Sequence, residues 1–199
     1  FGLYPGQVVS QVPATLVSLS ILPVAADRIT VRWTLSTYRD EAACSSVGHT
    51  LTYADLDRLS DQFAGWLQHG AGLERGDRVA VQMPNLIQYL VVCLGALRAG
   101  MVVVNTNPLY TERELEHQLN DAGVKVMVVQ ANVAQTAAAV LPKTDVQTVV
   151  VTEIADLHPQ PKRALINFLV KYVKRMVPSF SIPGALKLNA VLKAGAKTP

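Results

Sequence analysis

Asp77-Arg-Val-Ala-Val-Gln-Met83, the apolar stretch from Leu86 to about Ala99, and Met101-Val-Val-Val104 are the lines that decide the fold. The first reads as a short strand with Val and Ala at its centre, ended by Pro84. Asn85 is placed to cap the helix that follows. The valines behind Met101 form an unbroken run, as expected of a strand buried on both faces.

The same alternation continues on either side. Upstream, Leu56, Leu59, Phe63 and Leu67 fall three and four apart, which predicts a helix from Tyr53 to Gln68, with Gly70 and Gly72 as its stop. Downstream, Thr111-Glu-Arg-Glu114 is a capping box that opens a helix through Asn120, ended at Gly123. Val124 to Val129 reads as a strand, Val133 to Leu141 as a helix, and Val146 to Thr152 as a strand. Strand and helix in short regular steps predict an α/β domain, a parallel-type layered sheet flanked by helices. Residues 38–156 carry this pattern. Residues 1–37 show neither period and read as a divergent or irregular segment. Residues 157–199 follow a break at Pro159 and Pro161 and hold a basic amphipathic stretch, then a weak helix from Ala185 to Leu192.

Composition excludes several classes. The chain has 199 residues, half of them apolar and 17% charged, which is the opposite of a disordered protein. A net charge of +3 gives no nucleic-acid signature. Cys44 and Cys93 stand far apart with no metal-ligand spacing, so a reducing compartment and no zinc site are expected. The run Leu86 to Val104 is interrupted by Gln88, Gly95, Arg98 and Gly100, and so does not read as a membrane span. Leu16 to Ala26 lacks the basic lead of a signal peptide and contains Pro23. The first residue is Phe1, which reads as an incomplete sequence.

Few motifs point to chemistry. Gly70-Ala-Gly-Leu-Glu-Arg-Gly76 resembles a dinucleotide fingerprint, but it follows a helix and precedes a strand. A phosphate-binding turn needs the reverse order, so that backbone N–H groups face the phosphate. His49, His69, His117 and His158 are scattered. His117 shares a helix with Glu114 and Glu116, and Asp121 lies one turn on, the pattern of a solvated face. No catalytic, cofactor-binding or metal-binding residue is assigned. Lys162 to Met176 carries five positive charges and no acid. Leu165, Phe168, Leu169, Tyr172, Val173 and Met176 would line one helical face. Lys171, Lys174 and Arg175 stand beside or opposite it, and are the candidate contacts to an anionic membrane surface. The same pattern also suits a surface helix packed on its own domain with its charges in water.

Taken in order, these segments resemble the adenylate-forming superfamily. Leu51-Thr-Tyr-Ala-Asp-Leu56 resembles its first core motif, and Leu94-Gly-Ala-Leu-Arg-Ala-Gly-Met-Val-Val-Val-Asn-Thr-Asn-Pro108 its second. Gly76-Asp-Arg-Val-Ala-Val-Gln-Met-Pro-Asn85 resembles the strand and turn between them. Asn107 to Asp121 and Val170 to Pro178 are similar to bacterial long-chain fatty-acid–CoA ligases. The resemblance runs from Tyr38 to Ala196. It implies an enzyme that joins a long-chain fatty acid to CoA, with ATP, CoA and Mg²⁺ as the intact enzyme's cofactors. A cytoplasmic location is expected, with peripheral attachment at the inner face of the cell membrane. Two departures qualify it. Tyr38-Arg-Asp-Glu-Ala42 has Glu41 where the family has Pro. The Thr/Ser/Gly-rich phosphate loop closing in Lys-Gly is expected shortly beyond Pro199, so this chain alone is expected to be inactive and to bind none of the cofactors tightly. Two other classes remain open: a free-standing nucleotide-binding module, and a non-catalytic membrane-surface module.

Overall fold

The computed structural model describes residues 49–197 throughout; before them it describes only the strand backbones at 7–12, 15–25, 28–37 and 42–46. The Tyr38-Arg-Asp-Glu41 run lies outside the described residues. Strands β1 (Gln7–Val12), β2 (Thr15–Ala25) and β3 (Arg28–Thr37) pair antiparallel in sequence order. β4 (Ala42–Ser46) and β5 (His49–Thr52) form an antiparallel hairpin.

β5 runs straight into α1 (Tyr53–Gly65), which widens into a π-helical turn at Trp66–Gly70. Thr52 starts α1 with a capping box: its Oγ1 accepts from Asp55 N, and Asp55 Oδ2 accepts from Thr52 N. Two orphan N–H groups are thereby satisfied.

The main sheet is wholly parallel, in the order β10-β9-β8-β6-β7. Its strands are β6 (Arg78–Gln82), β7 (Val102–Asn105), β8 (Val124–Gln130), β9 (Thr148–Thr152) and β10 (Leu186–Lys187). The helices between them are α2 (Ile87–Arg98), α3 (Glu112–Asp121), α4 (Ala134–Val140) and α5 (Lys162–Phe168), and α6 (Leu188–Gly195) follows the last strand.

Side-chain alternation explains the two-sided burial. Val79, Val81, Val126, Val128 and Val150 pack on one face with α1, α2 and α6. Ala80, Met127, Val129 and Val149 pack on the other with α3 and α4. Phe63, Leu67, Leu115 and Leu119 are fully buried, each worth about 1.5–3 kcal/mol of transfer free energy. Glycine serves two distinct needs. Gly100, at φ +81°, turns α2 into β7 in a conformation that side chains resist. Gly95 lets α2 approach α1, because a Cβ there would stand 2.7 Å from the Ser60 carbonyl.

Three local expectations need correction. The valine run after Met101 is not buried on both faces: β7 is the edge strand of the sheet, and Val102 is 47% exposed. Asn85 does not cap α2: the cap position is Leu86, and no side chain bonds the helix start. Burial of Leu86 and Ile87 fixes where the helix begins, and leaves Asn85 exposed. The final helix begins at Leu188 rather than Ala185, because Leu186 and Lys187 first pair with Val150 and Val151.

Candidate functional site: a switch-point crevice and an exposed basic helix

In an open parallel sheet, ligands bind beyond the carboxyl ends of the strands, where successive crossovers leave in opposite directions. Here that point is β6. The chain leaves β6 through α2 to β7 on one side, then returns through α3 to β8 on the other. The crevice at this point has a volume of about 310 Å³, and its walls include Met83, Asn85, Tyr89, Asn105, Thr106 and Asn107.

Its floor is held by backbone and amide bonds. Thr106 N donates to Val81 O at 3.0 Å, and Gln82 Nε2 donates to Asn107 O at 3.2 Å. Asn107 Oδ1 accepts from Leu109 N at 2.9 Å, an Asx turn that sets the exit from β7. Tyr89 Oη donates to Asn105 Oδ1 at 2.9 Å. Gln88 is fully buried, and its Nε2 donates to Glu153 O at 2.9 Å and Ile154 O at 3.2 Å. It thereby ties α2 to the end of β9.

The chemistry on offer is neutral. Burial pushes the Tyr89 phenol up to about 12 and the Cys93 thiol beside it up to about 11, so both stay protonated at neutral pH. Neither is a base or nucleophile there. The crevice presents amides, a hydroxyl and a phenol, with no cation or carboxylate among its lining residues. It can shape and orient a ligand; it cannot balance phosphate charge. No group of His, Cys, Asp and Glu among the described residues could hold a metal ion.

These residues were not singled out from the sequence as a site. The available signal was a polar run, Asn105-Thr-Asn107, immediately after a buried strand. Its meaning depended on strand order, which spacing does not show. Of the histidines, His117 stands exposed on α3 with Glu116, which pairs with Lys143 at 3.4 Å. His49 and His158 are brought together, with ring centroids 4.9 Å apart.

The second feature is the segment formed by α5 and the π-helical turn that continues it, Leu169–Val173. None of its residues is buried. Leu165, Phe168, Leu169, Tyr172, Val173 and Met176 are 40–63% exposed, so the apolar face does not pack on the described part of the domain. Lys171 is exposed within this segment; Lys174, Arg175 and Met176, expected on the same helix, follow its end at Val173 outside the helix and are also exposed. Lys171 Nζ lies 5.5 Å from the Tyr172 ring centroid, and Phe168 and Tyr172 stack at 5.1 Å. The segment is tethered at its middle and just past its end: Asn167 Oδ1 accepts from Ala155 N at 3.0 Å, and Asn132 Nδ2 donates to Met176 O at 3.0 Å. No helix among the described residues is long and apolar enough to cross a membrane.

Comparison with known proteins gives a consistent picture. The AMP-binding enzyme family matches residues 31–183. A long-chain-fatty-acid–CoA ligase from Escherichia coli O157:H7 is 49% identical over 158 residues, covering 79% of this chain and 28% of that protein. A protein of the same name from Bacillus subtilis (strain 168) is 37% identical over 163 residues, covering 81% of this chain and 27% of its own. Among solved structures, a benzoate CoA ligase from Burkholderia xenovorans LB400 superposes with a TM-score of 0.57 at 19% identity, covering 77% of this chain and 26% of its own. A long-chain-fatty-acid-CoA ligase from Archaeoglobus fulgidus gives 0.55 at 22%, covering 76% and 24%. The two structures show the shared fold. The chain spans about 28% of the length of the E. coli relative.

Proposed function

The chain belongs to the AMP-binding enzyme family, and on that footing we propose that it forms one α/β layer of an ATP-dependent long-chain-fatty-acid–CoA ligase. The reaction would join a fatty acid to CoA through an acyl-adenylate, releasing AMP and pyrophosphate. The observation that carries this reading is the 49% identity over 158 residues to a relative of that name. Within the ligase, residues 38–156 would carry four of the five strands of the main sheet, residues 157–199 the basic helix and a tail that returns to the sheet as β10 and α6, and residues 1–37 a divergent leading segment.

The chain's own part is support. Both chemical steps build charge on phosphate or carbonyl oxygens, and so need cations and dense donors. The crevice residues do not fit ATP or Mg²⁺, because Asn85, Tyr89, Asn105, Thr106 and Asn107 are all neutral. The sequence also contains no Thr/Ser/Gly-rich run closing in Lys-Gly. The crevice would therefore line a cleft whose charged groups come from elsewhere in the ligase. The purified chain is expected to release no pyrophosphate when given ATP, CoA and a long-chain fatty acid. Fatty-acid-dependent release above the no-protein blank would overturn this division of labour.

A second observation, the exposed apolar face beside Lys171, Lys174 and Arg175, supports peripheral attachment to an anionic membrane at its cytoplasmic face. Each surface cation contributes about 1 kcal/mol near such a membrane. Changing all three to Gln is expected to release the chain from anionic vesicles in sedimentation. Wild-type binding that does not weaken with salt would contradict electrostatic attachment.

A further inference from the structure

Between the basic helix and the start of α6 lies a cavity of about 380 Å³, within the size range of small-ligand sites. Three cations line it from two separate elements: Arg163 and Lys171 from the helical segment, and Lys187 from β10. The stacked rings of Phe168 and Tyr172 form its apolar side, and they also belong to the exposed face described above. A single residue pair thus joins a cationic recess to an apolar surface.

Two acids also line the cavity, Glu153 and Asp156. The Asp156 carboxylate is buried and already occupied. Its Oδ2 accepts from Glu153 N at 2.8 Å and Thr152 Oγ1 at 3.1 Å, and its Oδ1 accepts from Asn167 Nδ2 at 3.4 Å. Burial holds its pKa above the usual carboxylate value. Against these two acids stand three cations, an excess of one positive charge among the lining residues. The recess therefore favours an anion, and its apolar wall favours one that carries hydrocarbon.

We propose that this cavity is a socket for the phosphate headgroup of an anionic phospholipid, with the acyl chains lying along the Phe168–Tyr172 face. The proposal rests on the membrane-surface reading and adds a specific seat to it. Lys171, Arg163 and Lys187 contact the phosphodiester, and the aromatic pair covers the first carbons of the chains. A bare phosphate would meet the cations but leave the rings uncovered.

The test uses the chain with dihexanoyl-phosphatidylglycerol below its micelle concentration, glycerol phosphate as the headgroup without chains, and dihexanoyl-phosphatidylcholine as the zwitterionic counterpart, whose phosphodiester is offset by a quaternary ammonium that the three cations repel. Binding is read from amide chemical shifts. Saturable shifts at Ala164, Phe168, Lys187 and Asn189 are expected with the phosphatidylglycerol, with much weaker ones for the other two. Lys187→Gln should weaken the apparent Kd about fivefold, while Glu153→Gln should tighten it; Lys187 is exposed, so its replacement should leave the fold intact. Equal shifts from glycerol phosphate would show a free-anion site and overturn the lipid seat. Shifts confined to residues 165–176 and indifferent to Lys187→Gln would overturn the socket while leaving the membrane-surface reading in place. No binding to this lipid, together with no binding to anionic vesicles, would overturn both.

Discussion

Gly95→Ala tests whether the α1–α2 interface is packed as closely as described. A methyl at this position would meet Ser60 O at 2.7 Å, Phe63 Cβ at 2.9 Å and Phe63 Cδ1 at 3.0 Å. Comfortable heavy-atom contacts lie at about 3.5–4.0 Å. One neighbour is backbone within α1, and Phe63 is fully buried, so neither can swing aside. The helices must separate instead. Overfilling a packed interface costs about 1–3 kcal/mol, and replacing a mid-helix glycine by alanine returns about 1 kcal/mol. The fixed neighbours favour the upper part of the range, leaving a net loss of about 1–2 kcal/mol. In a chain of this size each kcal/mol moves the melting temperature by about 2–4 °C. Urea and thermal unfolding followed by circular dichroism give both numbers. An unchanged m-value would show that the loss lies in native packing. A gain in stability of about 1 kcal/mol, the bare propensity effect, would refute the close approach.

Three further outcomes follow from other features. Thr111→Ala removes the acceptor for Glu114 N and the partner of Glu114 Oε2, and should cost about 1 kcal/mol in urea unfolding; no loss would mean the box is replaced by water. Gly100→Ala should destabilise by about 1 kcal/mol or more, because φ is +81° there and the left-handed region is costly for a side chain. Burial, then the neighbouring His158 and Lys162, hold the His49 pKa below 6.5, against the opposing pull of Asp55 and the Leu157 carbonyl. The folded state therefore binds the proton less readily than the unfolded one, so this contribution is complete above pH 6.5 and is lost as pH falls through the lowered value. His49→Gln should flatten the fall in stability between about pH 7 and 5, and an identical slope in both proteins would remove His49 as its source.

Much of the layered fold was legible because local signals and global structure agree. The buried valines of β6, β8 and β9 announce strands covered on both faces; β7 carries the same valine run but is the edge strand, and its valines are not buried. Leu56, Leu59 and Phe63 announce α1, and Thr111 with Glu114 announces α3 down to its cap. Agreement failed where a tertiary contact overrode a local preference. Asn85 is a good cap residue, yet burial of Leu86 placed the boundary one residue later. Ala185 to Lys187 carries no strong strand pattern, and only the open edge of β9 recruits its last two residues.

The site shows the same limit more sharply. The sequence by itself determined which segments are strands or helices, and that the Lys162–Met176 stretch is basic and amphipathic, because these depend on the spacing of residues along one chain. Strand order depends on which edges meet in space. Only the tertiary structure put β7 and β8 on opposite sides of β6, which made Asn105 to Asn107 the lip of a crevice. It also decided that Leu165, Phe168 and Tyr172 face outward and that Lys187, distant in sequence, stands across a cavity from Arg163. A periodic pattern states that a helix has an apolar face, but what that face touches is set by the surfaces that remain after the sheet and its two helical layers have packed.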